Sequence, residues 1–256
     1  MQAQDFADLY ELEEGFWWFV GMREVTAALL DPVCPPAPAR RVLDAGCGTG
    51  VNLAWLRRYA GAGEVCGVDV EQVALDFCRE RGHRALARAS VTHLPFADQS
   101  FDLVTSFDVL VQLPGEGSDE AAMREMWRVL RPGGVAFVRA AAYGWMRSGH
   151  DAALHTQRRY RLGGLRRGLE RAGFRTLRAT YANSLLLPAA AVRRLLLKRV
   201  GLADGGSDVR PLPEGLGWLG RALAGVLRGE ARVLRRPGAS LPAGLSAVCV
   251  VEKPRG

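Results

Sequence analysis

Apolar and polar positions alternate in a regular rhythm through the middle of the chain. Short apolar runs predict strands, and the segments between them carry apolar residues at helical spacing. The predicted strands are 41–45, 64–70, 84–89, 101–107 and 135–140, and the predicted helices are 51–59, 71–81 and 120–130. Strands that alternate with helices of about 10–15 residues predict a doubly wound α/β fold, with a parallel sheet covered by helices on both faces.

The rhythm changes on either side of this stretch. Residues 5–30 are predicted as one helix with an aromatic cluster at 16–19, and four prolines in 31–38 then exclude a helix. The later predicted elements are a helix at 164–172, a strand at 174–181, helices at 185–200 and 216–234, and a last strand at 245–252. The two amphipathic helices interrupt the pattern, so we interpret them as a helical cap inserted before the last strand.

These changes divide the chain into four predicted parts. They are an N-terminal helical segment with a Pro-rich linker at 1–38, a core at 39–183, the helical cap at 184–240 and a final core strand at 241–256. A chain of 256 residues suffices for one such domain with an elaborated cap.

Composition restricts the partners. Net charge is +7, but all the basic residues except Lys198 and Lys253 are arginine, which is typical of a high-GC bacterial genome. No nucleic-acid-binding motif is present, so we expect no nucleic-acid partner. Five irregularly spaced cysteines without a CxxC pair argue against zinc and disulfide frameworks. No apolar run reaches about 20 residues and no secretory signal is evident, so the prediction is a cytoplasmic protein.

The glycine-rich segment 42–50, Val-Leu-Asp-Ala-Gly-Cys-Gly-Thr-Gly, carries the clearest chemistry. It lies between a predicted strand and a predicted helix, where glycines permit a sharp turn and let a ligand approach the backbone. Asp69 ends the next strand, where a carboxylate can accept hydrogen bonds from both ribose hydroxyls of an adenosine. The alternative is a surface Asp69 that caps the following helix.

Two kinds of adenosine-containing cofactor fit such a turn. Dinucleotide sites favour GxGxxG, whereas this chain has GxGxG preceded by Asp44. S-adenosylmethionine has no phosphate, but it has an ammonium that Asp44 could hold and a sulfonium that aromatic faces could stabilise.

Four ordered blocks, 42–50, 67–69, 94–104 and 129–134, resemble the class I S-adenosylmethionine-dependent methyltransferases. The resemblance implies a Rossmann-like, seven-stranded sheet with an antiparallel last strand, and S-adenosylmethionine as the cofactor. The candidate cofactor-binding residues are Asp44, Gly46, Cys47, Gly48, Gly50, Asp69, Val70, Ser90, Val91 and Phe107. Two positions depart from the family pattern, since Ser90 replaces an acidic residue and Gln112 replaces a histidine.

The segment after the fifth predicted strand is the candidate acceptor site. Its candidate catalytic residues are His150, Asp151, His155, Arg159 and Tyr160. A histidine there could deprotonate an acceptor, and Arg158 or Arg159 could hold an anionic one. The alternative is a surface loop tied by an ion pair between Asp151 and an arginine.

The ends of the chain resemble a bacterial subgroup of the same family that has an N-terminal Trp-Trp-Phe stretch. Trp17 and Trp18 either dock the N-terminal helix on the sheet or roof the cofactor pocket, with Arg23 reaching the methionine carboxylate. The late helices are basic and amphipathic. Two roles are open for them, namely weak contact with a membrane surface and a homodimer face.

The function predicted from these features is methyl transfer to a small-molecule or glycan- or lipid-linked acceptor, in specialised or cell-envelope metabolism. Two alternatives stay open. One is a protein that keeps the cofactor fold without methylating, and the other is an NAD-dependent oxidoreductase, which the glycine spacing disfavours.

Overall fold

The fold was analysed in a computed structural model, which describes residues 3–147, 151, 155–199 and 216–255. The strands are β1 Arg41–Ala45, β2 Glu64–Asp69, β3 Leu86–Arg88, β4 Phe101–Phe107, β5 Leu130–Ala141, β6 Arg175–Ala182 and β7 Ser246–Glu252. The helices are α1 Ala3–Leu12, α2 Trp17–Leu30, α3 Val51–Ala60, α4 Gln72–Glu80, α5 Ser118–Val129, α6 Leu162–Arg171, α7 Leu187–Arg199 and α8 Gly217–Leu234.

The seven strands form one sheet in the order β3-β2-β1-β4-β5-β7-β6. All neighbouring pairs are parallel except those that involve β7, which runs antiparallel to β5 and to β6. This arrangement confirms the predicted α/β fold and its antiparallel last strand. The strand order places the carboxyl ends of β1, β2, β4 and β5 along one edge, where open α/β sheets bind ligands.

Alternate residues of each strand enter two separate cores, because side chains of a strand point to opposite faces. On one face, Val42 and Phe137 pack with α2, α3 and α8. On the other face, Leu43 and Val138 pack with α5 and α6. Both faces of the sheet are therefore covered by helices, as the hydrophobic pattern predicts.

Two predicted boundaries are wrong. The helix expected at 5–30 is two helices, because the chain turns at 13–16, where Gly15 lies. The fifth strand begins at Leu130 rather than 135, since Pro132-Gly133-Gly134 continue it instead of separating it from the helix. A register shift between Phe101 and Leu103 of β4 accommodates this irregular start.

The late helix α8 is part of a sheet-covering layer. Its Leu227 and Ala231 are buried in the core cluster that also contains Met22 of α2. A Cβ on Gly21 would lie 2.4 Å from the Leu227 side chain, so glycine at this position lets the two helices approach closely. None of the helices in the described ranges is long and apolar enough to cross a membrane.

Candidate functional site

The glycine-rich turn lies at the carboxyl ends of β1 and β2. The backbone N–H groups of Gly46 and Cys47 both donate to the Val68 carbonyl, over 2.8 and 2.9 Å, which fixes the turn against β2. Gly46 has a φ of +88°, and a Cβ there would lie 2.2 Å from Val109 Cγ2. Only glycine fits this position, so the predicted need for glycine has a steric origin.

Open space lies beside the middle of the turn. Gly48 also has a positive φ, +52°, but a Cβ there would meet nothing within 4 Å. Its N–H donates to Asp69 Oδ2 over 2.9 Å, and Asp69 Oδ1 accepts from the Glu71 N–H over 3.0 Å. A carboxylate has about four acceptor positions and three backbone N–H groups, of Gly48, Val70 and Glu71, bond to Asp69, so capacity for a ligand hydroxyl remains. The helix-capping bond to Glu71 is therefore compatible with a ribose at Asp69.

Asp44 is fully buried and only half satisfied. Its Oδ1 accepts from Thr105 Oγ1 over 2.7 Å, whereas Oδ2 has no hydrogen-bond partner among the described residues. Burial raises the pKa of Asp44 to about 7, and the Thr105 hydroxyl and the charge of Arg139 oppose this rise. A buried carboxylate oxygen without a partner is costly. The site therefore has an unpaired acceptor that a ligand ammonium would satisfy.

A buried arginine lies at the carboxyl ends of β4 and β5. Arg139 Nε donates to Asp108 Oδ2 over 2.7 Å, and its side chain is only 8% exposed. Its Cζ lies 4.9 Å from the ring centroid of Trp18 and 5.1 Å from that of Phe107. Trp18 of α2 and Phe107, a predicted cofactor residue, thus both contact the guanidinium at this end of the sheet.

Sequence reasoning missed Arg139 and Thr105. The signal for Arg139 was a single charged residue within an otherwise apolar strand at 135–142. No local signal marks Thr105, because its role depends on the pairing of Asp44 with Thr105 across β1 and β4.

Arg81 holds α1 against the outer side of the glycine-rich turn. Its Nε donates to the Thr49 carbonyl over 3.0 Å, and one Nη donates to the Tyr10 carbonyl over 2.8 Å. It also pairs with the buried Glu13 at 3.4 Å. Burial raises the pKa of Glu13 to about 7, and the charges of Arg81 and Arg23 oppose the rise. The N-terminal helix is therefore linked to the cofactor turn through one arginine.

Arg23 binds the break between α1 and α2. Its guanidinium donates to the carbonyls of Glu13 and Glu14, over 3.2 and 2.9 Å, which this break leaves without helical partners. The hypothesis that Arg23 reaches the methionine carboxylate stays a prediction. Trp18 contacts Arg139, so the hypothesis that Trp18 covers the cofactor pocket stays a prediction.

Cys47 of the turn is a buried, neutral thiol. Its Sγ lies 3.9 Å from Cys78 Sγ, which in turn donates to the Gly48 carbonyl over 3.1 Å. The hydrogen bond with Cys78 and burial raise the pKa of Cys47 well above its ordinary value. The side chain therefore packs behind the turn, and only its backbone is available to a ligand in front. Gly50 begins α3 in a left-handed conformation beside the same Cys78.

The remaining predicted cofactor residues lie on the loops that follow β2 and β3. Val70 is exposed beside Asp69, as an apolar contact for a nucleoside requires. The Ser90 hydroxyl accepts from the Thr92 N–H over 3.2 Å and shares a hydrogen bond with Thr92 Oγ1. Val91 is buried in the core, so it can offer a ligand only its backbone. Because its hydroxyl is bound to Thr92, the Ser90 side chain is less available to a ligand than the sequence predicts.

Two members of the candidate acceptor site bind each other. Arg159 forms two hydrogen bonds with Asp151, of 2.7 and 3.0 Å, and the two side chains are 5% and 6% exposed. Arg159 also donates to the Ala142 carbonyl over 2.9 Å. The ion pair that the sequence offers as the alternative to an acceptor site is therefore present, but it is buried rather than on the surface.

The neighbouring residues follow the same pattern. The Tyr160 hydroxyl donates to Asp119 Oδ2 over 2.6 Å, and Arg158 pairs with the other oxygen of Asp119 at 2.5 Å. His155 is exposed and has a φ of +52°. His150 lies outside the described residues. The role of these side chains in catalysis stays a prediction.

Comparison with known proteins shows what this geometry is similar to. Residues 43–138 match the family model of a methyltransferase domain. The chain is 40% identical over 101 residues to methyltransferase GfsG of Streptomyces halstedii, a match that covers 37% of this chain and 35% of the relative. It is 33% identical over 98 residues to a fatty-acid O-methyltransferase of Mycolicibacterium smegmatis, covering 37% and 35%. The matches thus span about a third of these relatives.

The fold is also similar to that of phosphoethanolamine N-methyltransferase 2 of Haemonchus contortus, solved in complex with S-adenosyl-L-methionine. The TM-score is 0.56 at 18% identity, and the match covers 89% of this chain and 51% of the other. The predicted cofactor, S-adenosylmethionine, agrees with these similarities to methyltransferases. The residues present fit it, because Asp44 offers an unpaired carboxylate oxygen and Gly48 borders open space.

Proposed function

We propose that this protein transfers a methyl group from S-adenosylmethionine to a small-molecule acceptor. The observation that carries the proposal is the unpaired Oδ2 of the buried Asp44 beside the open space at Gly48. Asp69 supplies a second carboxylate at the next strand end, with acceptor capacity left for a ligand hydroxyl. Together they match the ammonium and the ribose hydroxyls of one molecule.

The chain's residues would bind and orient, and S-adenosylmethionine would supply an electrophilic methyl group on its sulfonium. Asp69 would hold the ribose and Asp44 the ammonium, so the rest of the cofactor would be fixed between two points. Methyl transfer is an in-line displacement whose rate depends mainly on such positioning. The aromatic faces of Trp18 and Phe107 lie at the same edge of the sheet and would favour a sulfonium charge.

The acceptor class is a small molecule, or one linked to a lipid or glycan. The fatty-acid O-methyltransferase among the relatives supports an apolar acceptor. The bacterial and cytoplasmic setting, the homodimer face and the membrane contact stay predictions.

Calorimetric titration with S-adenosylmethionine, S-adenosylhomocysteine and NAD tests the cofactor. We expect binding of the two sulfur compounds and none of NAD, and tight NAD binding alone would refute the proposal. A second assay supplies the methyl-labelled cofactor with a small-molecule extract of the source cells. With the cofactor supplied well below its wild-type dissociation constant, label should enter a product with the wild-type protein and about ten- to a hundredfold more slowly with Asp69→Ala. Cofactor binding without any labelled product would favour the non-methylating alternative.

The acceptor segment can be tested in the same assay. We expect His150→Ala and His155→Ala to leave the affinity for S-adenosylhomocysteine unchanged and to lower turnover, since a base acts on the acceptor. Normal turnover in both variants would mean that the segment is structural.

A further inference from the structure

Arg139 has hydrogen-bonding capacity that the described protein does not use. An arginine carries five N–H donors, and here only Nε donates, to Asp108. The two Nη atoms have no partner among the described residues. Neither is among the polar atoms that are fully enclosed without a partner, so both keep some contact with solvent. A side chain that is only 8% exposed with four unused donors needs a further explanation.

The strand register places this guanidinium on the same face and at the same edge as Asp44. Asp44 pairs with Thr105 across β1 and β4, and Phe107 pairs with Arg139 across β4 and β5. Paired residues in a sheet share a face, and so do residues two positions apart. Asp44 and Arg139 are therefore neighbours on one face, with Thr105 and Phe107 between them.

The guanidinium is also held in place. The rings of Trp18 and Phe107 lie 4.9 and 5.1 Å from its Cζ, and Asp108 fixes the Nε edge. A planar guanidinium that is held by two aromatic rings and by a carboxylate at Nε presents its Nη atoms in a defined direction. That is the arrangement in which arginine binds a carboxylate through two parallel hydrogen bonds.

We propose that Arg139 binds the α-carboxylate of the cofactor's methionine tail, while Asp44 binds the ammonium on the same carbon. This inference rests on the proposed function. An α-amino acid carries its two charges a few ångströms apart, so a site that pairs the ammonium with Asp44 requires a cation or N–H donors close by. Arg23 already uses two of its donors on the carbonyls of Glu13 and Glu14, so Arg139 has the larger unused capacity.

Three ligands separate this role from a structural one. S-adenosylhomocysteine carries both charges, its decarboxylated analogue 5′-(3-aminopropylthio)-5′-deoxyadenosine lacks only the carboxylate, and 5′-methylthioadenosine lacks the whole tail. Dissociation constants are measured by calorimetry at pH 8 for the wild type and for Arg139→Met. We expect the wild type to prefer S-adenosylhomocysteine over the decarboxylated analogue by about ten- to a hundredfold.

In Arg139→Met this preference should disappear, because the variant loses affinity for S-adenosylhomocysteine and not for the analogue. Equal weakening of all three ligands, or an unchanged preference, would overturn the proposal and leave Arg139 a structural residue or a site for an anionic acceptor. The matched control is Arg178→Met, which removes a partly buried arginine that donates to the carbonyls of Leu234 and Ala239. This variant should keep the wild-type preference.

Two features keep the test decisive. If Arg139→Met does not fold, Arg139→Lys retains the charge without the two-pronged geometry, and we expect it to lower the preference severalfold; full retention would count against the proposal. Failure of the proposed function gives a different result, since a wild-type protein that binds none of the three ligands has no such cofactor site. A wild-type protein that binds S-adenosylhomocysteine without preferring it over the decarboxylated analogue refutes only the role of Arg139. This result is distinct from the absence of binding.

Discussion

Two groups of charged side chains follow the carboxyl ends of the strands, and they differ in how their hydrogen bonds are satisfied. At the cofactor end, Asp44 Oδ2 and the Nη atoms of Arg139 lack partners among the described residues. In the segment 151–160, Arg159 is matched to Asp151, and Tyr160 and Arg158 are matched to Asp119. Unused capacity in buried groups indicates a ligand, whereas self-satisfied pairs indicate a structural loop.

The contrast predicts opposite effects of mutation. Loss of a charge at the cofactor end should change ligand affinity, and at Asp44 it should also raise stability. Substitution of the buried pair Asp151 and Arg159 should lower stability and leave cofactor affinity unchanged. The predictions below run from the largest expected change in cofactor affinity to the smallest.

Asp44→Asn should cause the largest loss of affinity. The variant keeps the shape and the Thr105 contact but loses the charge that pairs with the ammonium, so we expect S-adenosylhomocysteine binding to fall about a hundredfold or more. The same variant should be more stable than the wild type above pH 8, by about 2–4 kcal/mol, because the buried carboxylate no longer has to ionise.

The sign of that stability effect follows from the pKa. Asp44 has a folded pKa of about 7, above its ordinary value of 3.8, so the folded state binds more protons between these values. Wild-type stability should therefore fall as pH rises from about 4 to 7 and then level off, relative to Asp44→Asn. Thermal denaturation at pH 5 and pH 8 measures this, and an equal difference in melting temperature at both values would contradict it.

Asp69→Ala should weaken S-adenosylhomocysteine binding by about ten- to a hundredfold, because the ribose hydroxyls lose a charged acceptor. Asp76→Ala is a matched control, since Asp76 lies on the exposed side of α4 and pairs only with Arg79 and Gln72 among the described residues. Calorimetry should show unchanged affinity for this control.

Cofactor affinity should fall as pH decreases below about 7, by up to about tenfold per pH unit, because the ammonium requires an ionised Asp44. Asp69 and Arg139 are the charged groups that act on this carboxyl. Asp44→Asn should abolish the dependence. Glu13 has a pKa near the same value and contacts the turn through Arg81, so Glu13→Gln is the control and should retain it.

Asp151→Asn should leave cofactor affinity unchanged and reduce the free energy of unfolding by about 3–5 kcal/mol, because it leaves Arg159 buried without its counter-charge. Urea denaturation measures the stability and calorimetry the affinity. A variant of normal stability that fails in turnover would instead assign this pair to catalysis.

Much of the fold follows from local pattern. Apolar runs such as 41–45 and 101–107 predict strands because each is short and bounded by turn residues, and the glycine spacing predicts the turn. The break in the helix expected at 5–30 was not predicted, because it depends on Arg23 and Arg81 binding the freed carbonyls and carboxylates of the turn. Tertiary contacts overrode a continuous helical pattern.

The site was predicted where one residue acts through its position in a motif, as Asp44 and Asp69 do. It was missed where the role arises from pairing between distant strands, as for Thr105 and Arg139. The charge cluster at 151–160 shows the reverse case. Residue types suited to catalysis occur together there, but their partners lie on α5 and in the loop itself, which a linear sequence does not reveal.

A crystal structure of the complex with S-adenosylhomocysteine at pH 8 tests the central claim most directly. The account predicts the ribose hydroxyls at Asp69, the ammonium within hydrogen-bonding distance of Asp44 Oδ2 and the carboxylate against the Nη edge of Arg139. A complex in which Asp44 Oδ2 stays unpaired, or in which the ligand binds away from the turn at 44–50, would contradict it.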